Sequence, residues 1–568
     1  MGMSIQEATE LLTAHGGRHE IIEREVRGQR LRCWRNIPDT LRELALQIRC
    51  WDDRVYLVYE DERLTYAEVF ARVATLATRL VEDLGVEKGD RVAIAMRNFP
   101  EWVIAFWATT SVGAIAVPLN GWWKGEELAY GLLDSGTRVL LCDAERAERI
   151  VPHLPELPAL DTARVVIARG DGAELPPGAR RFEDVLGEIA REPALPDVAI
   201  EPDDLATIFY TSGTTGNPKG ALGTHRNMVT NVGSAGFVRA RAALRKGLEL
   251  PEPGAVVPQT ATLVSVPLFH VTGSHSMLAY NTFTGGKLVM MYRWNPERAL
   301  ELIEREGITN FGGVPAMVWQ VLESPDFERR DTSSVLGVGY GGAPAAPELV
   351  RRIKAVFPES SPSNGYGLTE TSAIATSNAG VDYERKPDSV GLAMPICDVK
   401  VVGEDGTAQP VGSVGELHIR GPNVVVGYWN KPEASEKTFG DGFLHSGDVV
   451  RMDEEGFIYI LDRAKDMLIR GGENIYCVEV ENVLYAHPEV MDAAVIGLPH
   501  RTLGEEVGAI VQVVAGSSVD EAALQAHAAQ HLASFKVPIR IDTRTEPLPR
   551  NANGKILKRQ LKGELGLA

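Results

Sequence analysis

The sequence predicts an α/β protein with a large, multi-subdomain N-terminal domain of layered, mostly parallel sheets and a small mobile α/β C-terminal domain. Three observations predict it. Short apolar runs alternate with helical patterns along most of the 568 residues, and strands separated by helices imply parallel sheets. After about Arg463 the alternation continues on a smaller scale, over a stretch of ordinary domain size. The chain is also too long for one compact core. The division is therefore placed at residues 1–462 and 463–568.

The elements follow in order. "LTYAEVFARVATLATRLVEDLG" opens on a Thr65/Glu68 capping box, keeps apolar residues at helical spacing and stops at Gly85, so it reads as a helix. "DRVAIAM", "AIAVPL", "RVLLCD", "RVVIA", "LATIFYT", "TLVSVP" and "KLVMM" read as strands. "NPERALELIEREG" reads as a helix with Asn295 as N-cap and Pro296 at the first helical position. Leu244 to Gln259 reads as a long loop. In the C-terminal part, "VEVENVLYAH" and "DEAALQAHAAQHLASF" read as helices, the second before "PIRIDTR", and "MDAAVIGL" and "EVGAIVQVV" as strands.

Composition excludes several classes. Charged residues are 24% and hydrophobic residues 44%, ordinary values for a globular protein. The formal net charge of −19 argues against non-specific nucleic-acid binding. That charge is uneven: residues 463–568 hold 12 basic and 13 acidic side chains, residues 1–462 hold 46 and 64. "WVIAFWATTSVGAIAVPLN" approaches spanning length but carries polar residues in its middle, so it reads as a buried helix running into a strand rather than a membrane span. No secretory signal is visible, and a cytoplasmic location is expected. Cys33, Cys50, Cys142, Cys397 and Cys477 show no CxxC spacing and read as buried thiols. The oligomeric state stays open, a homodimer included.

"YTSGTTGNPKG" (Tyr210 to Gly220) directly follows an apolar strand. Backbone N–H groups at glycines, hydroxyl donors and one ammonium suit phosphate oxygens. Taken alone the string also fits a turn of small residues. The Walker spacing is absent, because Lys219 stands between Pro218 and Gly220.

The string closely resembles the phosphate-binding signature of the adenylate-forming (AMP-binding) superfamily, and four more segments match that family in order: "YGGAP", "NGYGLTET", "LHSGDVVRMDEEGFIYILDRAKD" and "PRNANGKILKRQL". The resemblance covers roughly residues 60 to 562 and points to the acyl-CoA synthetase branch, the fatty- and aryl-acid CoA ligases. It implies that Thr211, Ser212, Gly213, Thr214, Thr215, Gly216 and Lys219 hold the ATP phosphates. Gly342, Ala343, Pro344, Asn364, Gly365 and Tyr366 would line the adenine, and Asp448 with Arg463 would take the ribose. Thr369 would contact phosphate or the acyl carboxylate, and Glu370 would hold Mg²⁺. Lys555 would be the catalytic lysine of adenylation. Lys465 would be the hinge about which the C-terminal domain turns, and Gly472 would let the pantetheine of coenzyme A pass close to the backbone.

The acyl site is implied by "PLFHVTGSH" and "TNFGGVPAMVW". His270 would stand beside the acyl carboxylate, with Val271, Gly273, Gly312, Gly313, Tyr340 and Gly341 around the pocket, the glycines giving a wall of little side-chain volume. His270 also fits a satisfied core histidine, and His275 fits either role. No aspartate is present in "FHVTG" to pair with a substrate ammonium, and burying one unpaired is costly; the expected acid is uncharged, either fatty, arylalkanoic or aromatic. Tyr340 departs from the serine of coumarate-type ligases, and Ile469 replaces the lysine of luciferases. The expected reaction is ATP-dependent ligation of such an acid to coenzyme A through an acyl-adenylate. The alternatives are an acyl-AMP ligase that loads a separate carrier protein and, in another class, an inactive nucleotide-binding regulatory protein.

Overall fold

Hydrophobic periodicity builds the first layer. Thr65 caps the helix Tyr66–Glu82, and the Glu68 carboxylate accepts from the Thr65 N–H at 2.8 Å, the reciprocal box that the sequence predicts. Val69, Val73, Leu76 and Leu80 lie on its buried face, each contributing about 1.5–3 kcal/mol when fully removed from water. This helix packs against Pro100–Ser111, whose side chains are buried almost all round. That burial explains why "WVIAFWATT" lacks a polar face. No helix among the described residues is long and apolar enough to cross a membrane.

The computed structural model describes residues 2–566 apart from 171–174, 212–216, 253–254, 256, 343–346, 465, 472 and 552–554. Its first large sheet places the strands Val165–Ala168, Val139–Asp143, Arg91–Ala95, Ile115–Pro118 and Leu205–Tyr210 side by side and parallel. At its end the direction reverses: Gly220–Thr224 pairs antiparallel with Leu205–Tyr210, Tyr210 opposite Gly220. "YTSGTTGNPKG" is therefore the connection of a hairpin, not a strand-to-helix turn. The second large sheet runs Val55–Tyr59, Lys287–Met290, Ala261–Val264, Asn310–Gly313, Gly337–Gly341, Ser361–Tyr366, all parallel.

Two smaller sheets depart from the parallel pattern. Asp398–Val402, Val414–Arg420, Leu444–Met452 and Ile458–Arg463 form an antiparallel sheet. The C-terminal part builds its sheet chiefly on the long antiparallel pair Val490–His500 and Gly504–Val513, with Arg540–Arg544 added in parallel. The helices Cys477–Tyr485 and Glu521–His531 cover it, and Val480, Leu484, Val495, Val507, Leu524 and Ile541 form its own core. The join near Arg463 is polar and buried. Asp462 accepts from the Cys477 N–H, and Lys558 pairs with Glu481 at 2.7 Å; burial pushes the Asp462 carboxyl up to about 6.

Two features differ from the sequence reading: Cys50 is exposed, whereas the other four cysteines are buried, and one boundary moves. The helix His225–Lys246 runs through Leu244, so the long connection starts at Gly247, whose left-handed backbone (φ 83°) lets its N–H cap the Ala243 and Leu244 carbonyls. Strand contact fixes other glycines: a Cβ on Gly312 would lie 1.6 Å from the Gly339 carbonyl oxygen, and one on Gly341 2.4 Å from that of Gly365. Gly312→Ala should therefore destabilise the protein by about 1–3 kcal/mol, the usual cost of overpacking. A thermal melt that overlays the parent's would refute this tight strand approach.

Candidate active site

The register of the antiparallel sheet sets the site's anchor. Asp448 stands opposite Arg463, whose Nε donates to Asp448 Oδ1 at 3.0 Å. From the second large sheet the Tyr366 hydroxyl donates to Asp448 Oδ2 at 2.6 Å. The Asp448 side chain is 3% exposed, and a buried carboxylate requires such partners. Burial, and then the Asp448 charge, push the Tyr366 hydroxyl well above its ordinary value, so it stays protonated as the donor.

A cleft opens beside this pair. It is lined by Pro315, Gly342, Asn364, Gly365, Tyr366 and Asp448 from the large part, by Arg463 at the join, and by Arg550 and Lys555 from the C-terminal part. Gly342 (φ 76°) and Gly365 have open space where a Cβ would project, so the backbone there is accessible to a flat ligand.

The hairpin contributes a second group. The Thr211 N–H donates to the Lys219 carbonyl at 2.8 Å, which closes the base of the connection. The Lys219 ammonium lies 4.8 Å from the centre of the Tyr428 ring, and the Tyr428 hydroxyl donates to Glu370 Oε1 at 2.6 Å. Tyr428 thus joins Lys219 to Glu370, a role the sequence reading missed; its place on a strand paired with the hairpin strand is a tertiary fact. Thr369 and Glu370 share one short 3₁₀ turn, and the Glu370 carbonyl accepts from the Val425 N–H at 3.0 Å.

Lys555 is tied back to Asn551 by two hydrogen bonds. Its N–H donates to Asn551 Oδ1 at 3.0 Å, its carbonyl accepts from the Asn551 N–H at 2.9 Å, and its ammonium lies 3.7 Å from Asp466 Oδ2. Lys555 lines the Asp448 cleft and also an adjoining cavity bounded by Tyr210, Thr211, Phe269 and His270. It stands where the two meet.

His270 precedes a π-helix, Thr272–Ala279, a rare wide turn often found at functional sites. Its carbonyl accepts from the Ser274 N–H at 3.0 Å and from the Ser274 hydroxyl at 2.9 Å, while its Nε2 is buried with no partner. Gly273 is required there, because a Cβ would lie 2.3 Å from the Pro267 carbonyl oxygen. Burial pushes both His270 and His275 down to about 3. His275 pairs with the Ser274 hydroxyl at 2.9 Å and stacks edge-on with Phe209, a packed core position.

Of the remaining expected acyl-pocket residues, Val271 is half-buried beside His270. Tyr340 points elsewhere: its hydroxyl meets that of Tyr383 at 2.9 Å inside the core of the second sheet. Gly312 and Gly341 are accounted for by strand contact, whereas Gly313 (φ 141°) faces Met317 Sδ. Ser212, Gly213, Thr214, Thr215, Gly216, Ala343, Pro344, Lys465 and Gly472 lie outside the described residues.

The family described as AMP-binding enzyme matches residues 44–429, and the AMP-binding enzyme C-terminal domain matches residues 479–555. The chain is 35% identical over 506 residues to a feruloyl-CoA synthase of an Amycolatopsis species, covering 89% of this chain and 94% of that protein. It is 34% identical over 507 residues to the long-chain-fatty-acid–CoA ligase FadD13 of Mycobacterium tuberculosis, covering 88% and 93%. Among solved structures, the anthranilate CoA ligase AuaEII in complex with anthranoyl-AMP superposes with a TM-score of 0.81 at 26% identity, covering 92% of this chain and 97% of that one. ATP-bound MatB from Rhodopseudomonas palustris gives 0.78 at 30% identity, covering 92% and 99%.

The buried histidines carry a pH signature. Folded, His270 and His275 are neutral, with values far below the ordinary 6.5 at which the unfolded chain takes up protons. Their contribution is fully present above pH 6.5 and falls as pH drops from 6.5 toward 3. Urea midpoints should therefore fall between about pH 7 and pH 5, and His275→Gln should make that fall shallower. An unchanged slope in the variant would mean that His275 is protonated in the folded protein.

Proposed function

The chain belongs to the AMP-binding enzyme family and is an AMP-forming acid–thiol ligase that uses ATP, and on that premise we propose that it ligates an uncharged fatty, arylalkanoic or aromatic acid to coenzyme A in two steps. An oxygen of the acid attacks the α-phosphorus of ATP, and the bond to pyrophosphate breaks, giving an acyl-adenylate. The thiol of coenzyme A then attacks the acyl carbonyl, the bond to AMP breaks, and the thiol proton passes to solvent. The observation that carries this reading is the position of Lys555, shared between the cleft of Asp448 and the cavity of His270. An ammonium there faces both the nucleotide and the acid, where charge moves between carboxylate and α-phosphate.

The other roles belong to the same proposal. Asp448 offers carboxylate lone pairs to the vicinal ribose hydroxyls while Arg463 and Tyr366 hold its plane. Gly342, Asn364, Gly365 and Tyr366 form the surface for the adenine, with Ala343 and Pro344 continuing it. Thr211 and Lys219 hold the β- and γ-phosphates together with residues 212–216. Tyr428 engages one oxygen of Glu370, and the other suits a hard cation shared with phosphate oxygens, so the donor set fits Mg²⁺. Thr369 contacts phosphate or the acyl carboxylate from the same turn. Neutral His270, with its unpartnered Nε2, offers a hydrogen bond to the acyl carboxylate; Val271, Gly273 and Gly313 bound the acyl chain. We place the domain division at residues 1–462 and 463–568, with the hinge at Lys465 and the pantetheine passage at Gly472. The class of acid is supported by the lack of an aspartate in "FHVTG" and by relatives named as a feruloyl-CoA synthase and a long-chain-fatty-acid–CoA ligase.

Lys555→Ala should lower acid-dependent pyrophosphate release by about 10²–10³-fold while leaving the attack of coenzyme A on supplied acyl-adenylate near the parent rate. Equal losses in both half-reactions would overturn the role given to Lys555. A pyrophosphate-release screen over acids of graded chain length and aryl content, run with and without coenzyme A, identifies the acid. Multiple turnover that needs coenzyme A is expected; turnover that needs a carrier protein instead would assign the thiol acceptor to that protein.

A further inference from the structure

The antiparallel sheet carries a second set of ligating side chains, outside the cleft. His418 on Val414–Arg420 stands in register with His445 on Leu444–Met452. Their rings stack with centroids 3.9 Å apart and planes 17° from parallel. Asp441, just before the second strand, places Oδ1 3.1 Å from His445 Nε2. One ligand atom from each of the three lies within 4.8 Å of the other two. A cross-strand histidine pair by itself reflects only strand pairing.

Two observations go further than strand pairing. His418 is 5% exposed and its Nδ1 is buried without a hydrogen-bond partner, whereas buried polar atoms are ordinarily satisfied. Asp441 is exposed and the His445 side chain is 34% exposed, so an ion from solvent reaches the group. The nearby charges are mixed. Glu416 Oε2 lies 3.6 Å from His418 Nε2 and favours a cation, while the Lys400 ammonium lies 3.3 Å from Asp441 Oδ2 and competes with one.

We propose that His418, Asp441 and His445 form a binding site for a divalent transition-metal ion of the zinc type, separate from the Mg²⁺ that accompanies ATP. Two imidazoles and a carboxylate are donors that suit Zn²⁺ and its first-row neighbours, whereas Mg²⁺ takes oxygens. Bond lengths of about 2.0–2.2 Å in a tetrahedron bring ligand atoms to roughly 3.3 Å. Rotation of the exposed Asp441 and the half-buried His445 side chains supplies that contraction, and the ring stack opens as it happens. The ion ties Val414–Arg420 to Leu444–Met452 three residues before Asp448. Its role is to staple the sheet that carries that carboxylate, with no part in bond making.

The test uses the full-length protein, stripped with a chelator and desalted. Co²⁺ is added while visible absorption is followed, and Zn²⁺ is titrated against a chromogenic chelator. One equivalent per chain is expected, together with a Zn²⁺-dependent rise in melting temperature. Asp441→Asn changes an exposed side chain and should weaken binding by roughly tenfold or more; His418→Gln should abolish it. The rings of His527 and His531 in the C-terminal part, 5.2 Å apart, offer a competing site, and His531→Ala should leave the equivalent intact. Absence of stoichiometric binding, retention of full affinity in Asp441→Asn, or loss of the equivalent in His531→Ala would each overturn the proposal.

Discussion

The site depends first on one buried carboxylate. Asp448 is held between Arg463, its neighbour across the antiparallel sheet, and Tyr366, from the end of a strand in the second large sheet. An ionised group so deeply buried persists only where its partners are fixed, so these two hydrogen bonds also fix how the two sheets meet. The cleft edge formed by Gly342, Asn364 and Gly365 belongs to the same strand pair that carries Tyr366. Its distance from Asp448 is therefore set by the same contacts.

A second chain of contacts joins the hairpin to the cleft. Lys219 rests on the face of Tyr428, and Tyr428 donates to Glu370. An ammonium over an aromatic face gains electrostatically even where it is partly wet. A carboxylate with one oxygen occupied is oriented without being neutralised. Both charges proposed to meet the ATP phosphates thus share one tyrosine, which couples the phosphate hairpin to the acidic turn.

The C-terminal part meets the large part at Asp462, which accepts from the Cys477 N–H, while its own ion pairs are internal. Lys555 lies near Asp466, and Lys558 pairs with buried Glu481 beside Asp462. Its own apolar core is separate, so little of its stability rests on the large part. Ion pairs that close within the part itself do not hold it to the large part, a form suited to a module proposed to turn about Lys465.

Much of this was legible in the sequence because it is local. The Thr65/Glu68 box, the Asn295 cap and the strand runs from "DRVAIAM" to "KLVMM" depend on spacing within a few residues, and the structure places them close to where that spacing does. The motifs that identify the family are likewise contiguous strings. The resemblance of those strings also led to the expectation that Lys555 and Asp448 share one site, and both line the same cleft. Only the tertiary structure decided which side chain faces which space. Tyr340 turns toward Tyr383, Gly312 is a glycine because a strand backbone passes against it, and Tyr428 bridges Lys219 and Glu370. Each of these follows from the packing of sheets distant in the chain, and side-chain direction at a sheet edge is set by the neighbouring strand, not by residues nearby in sequence.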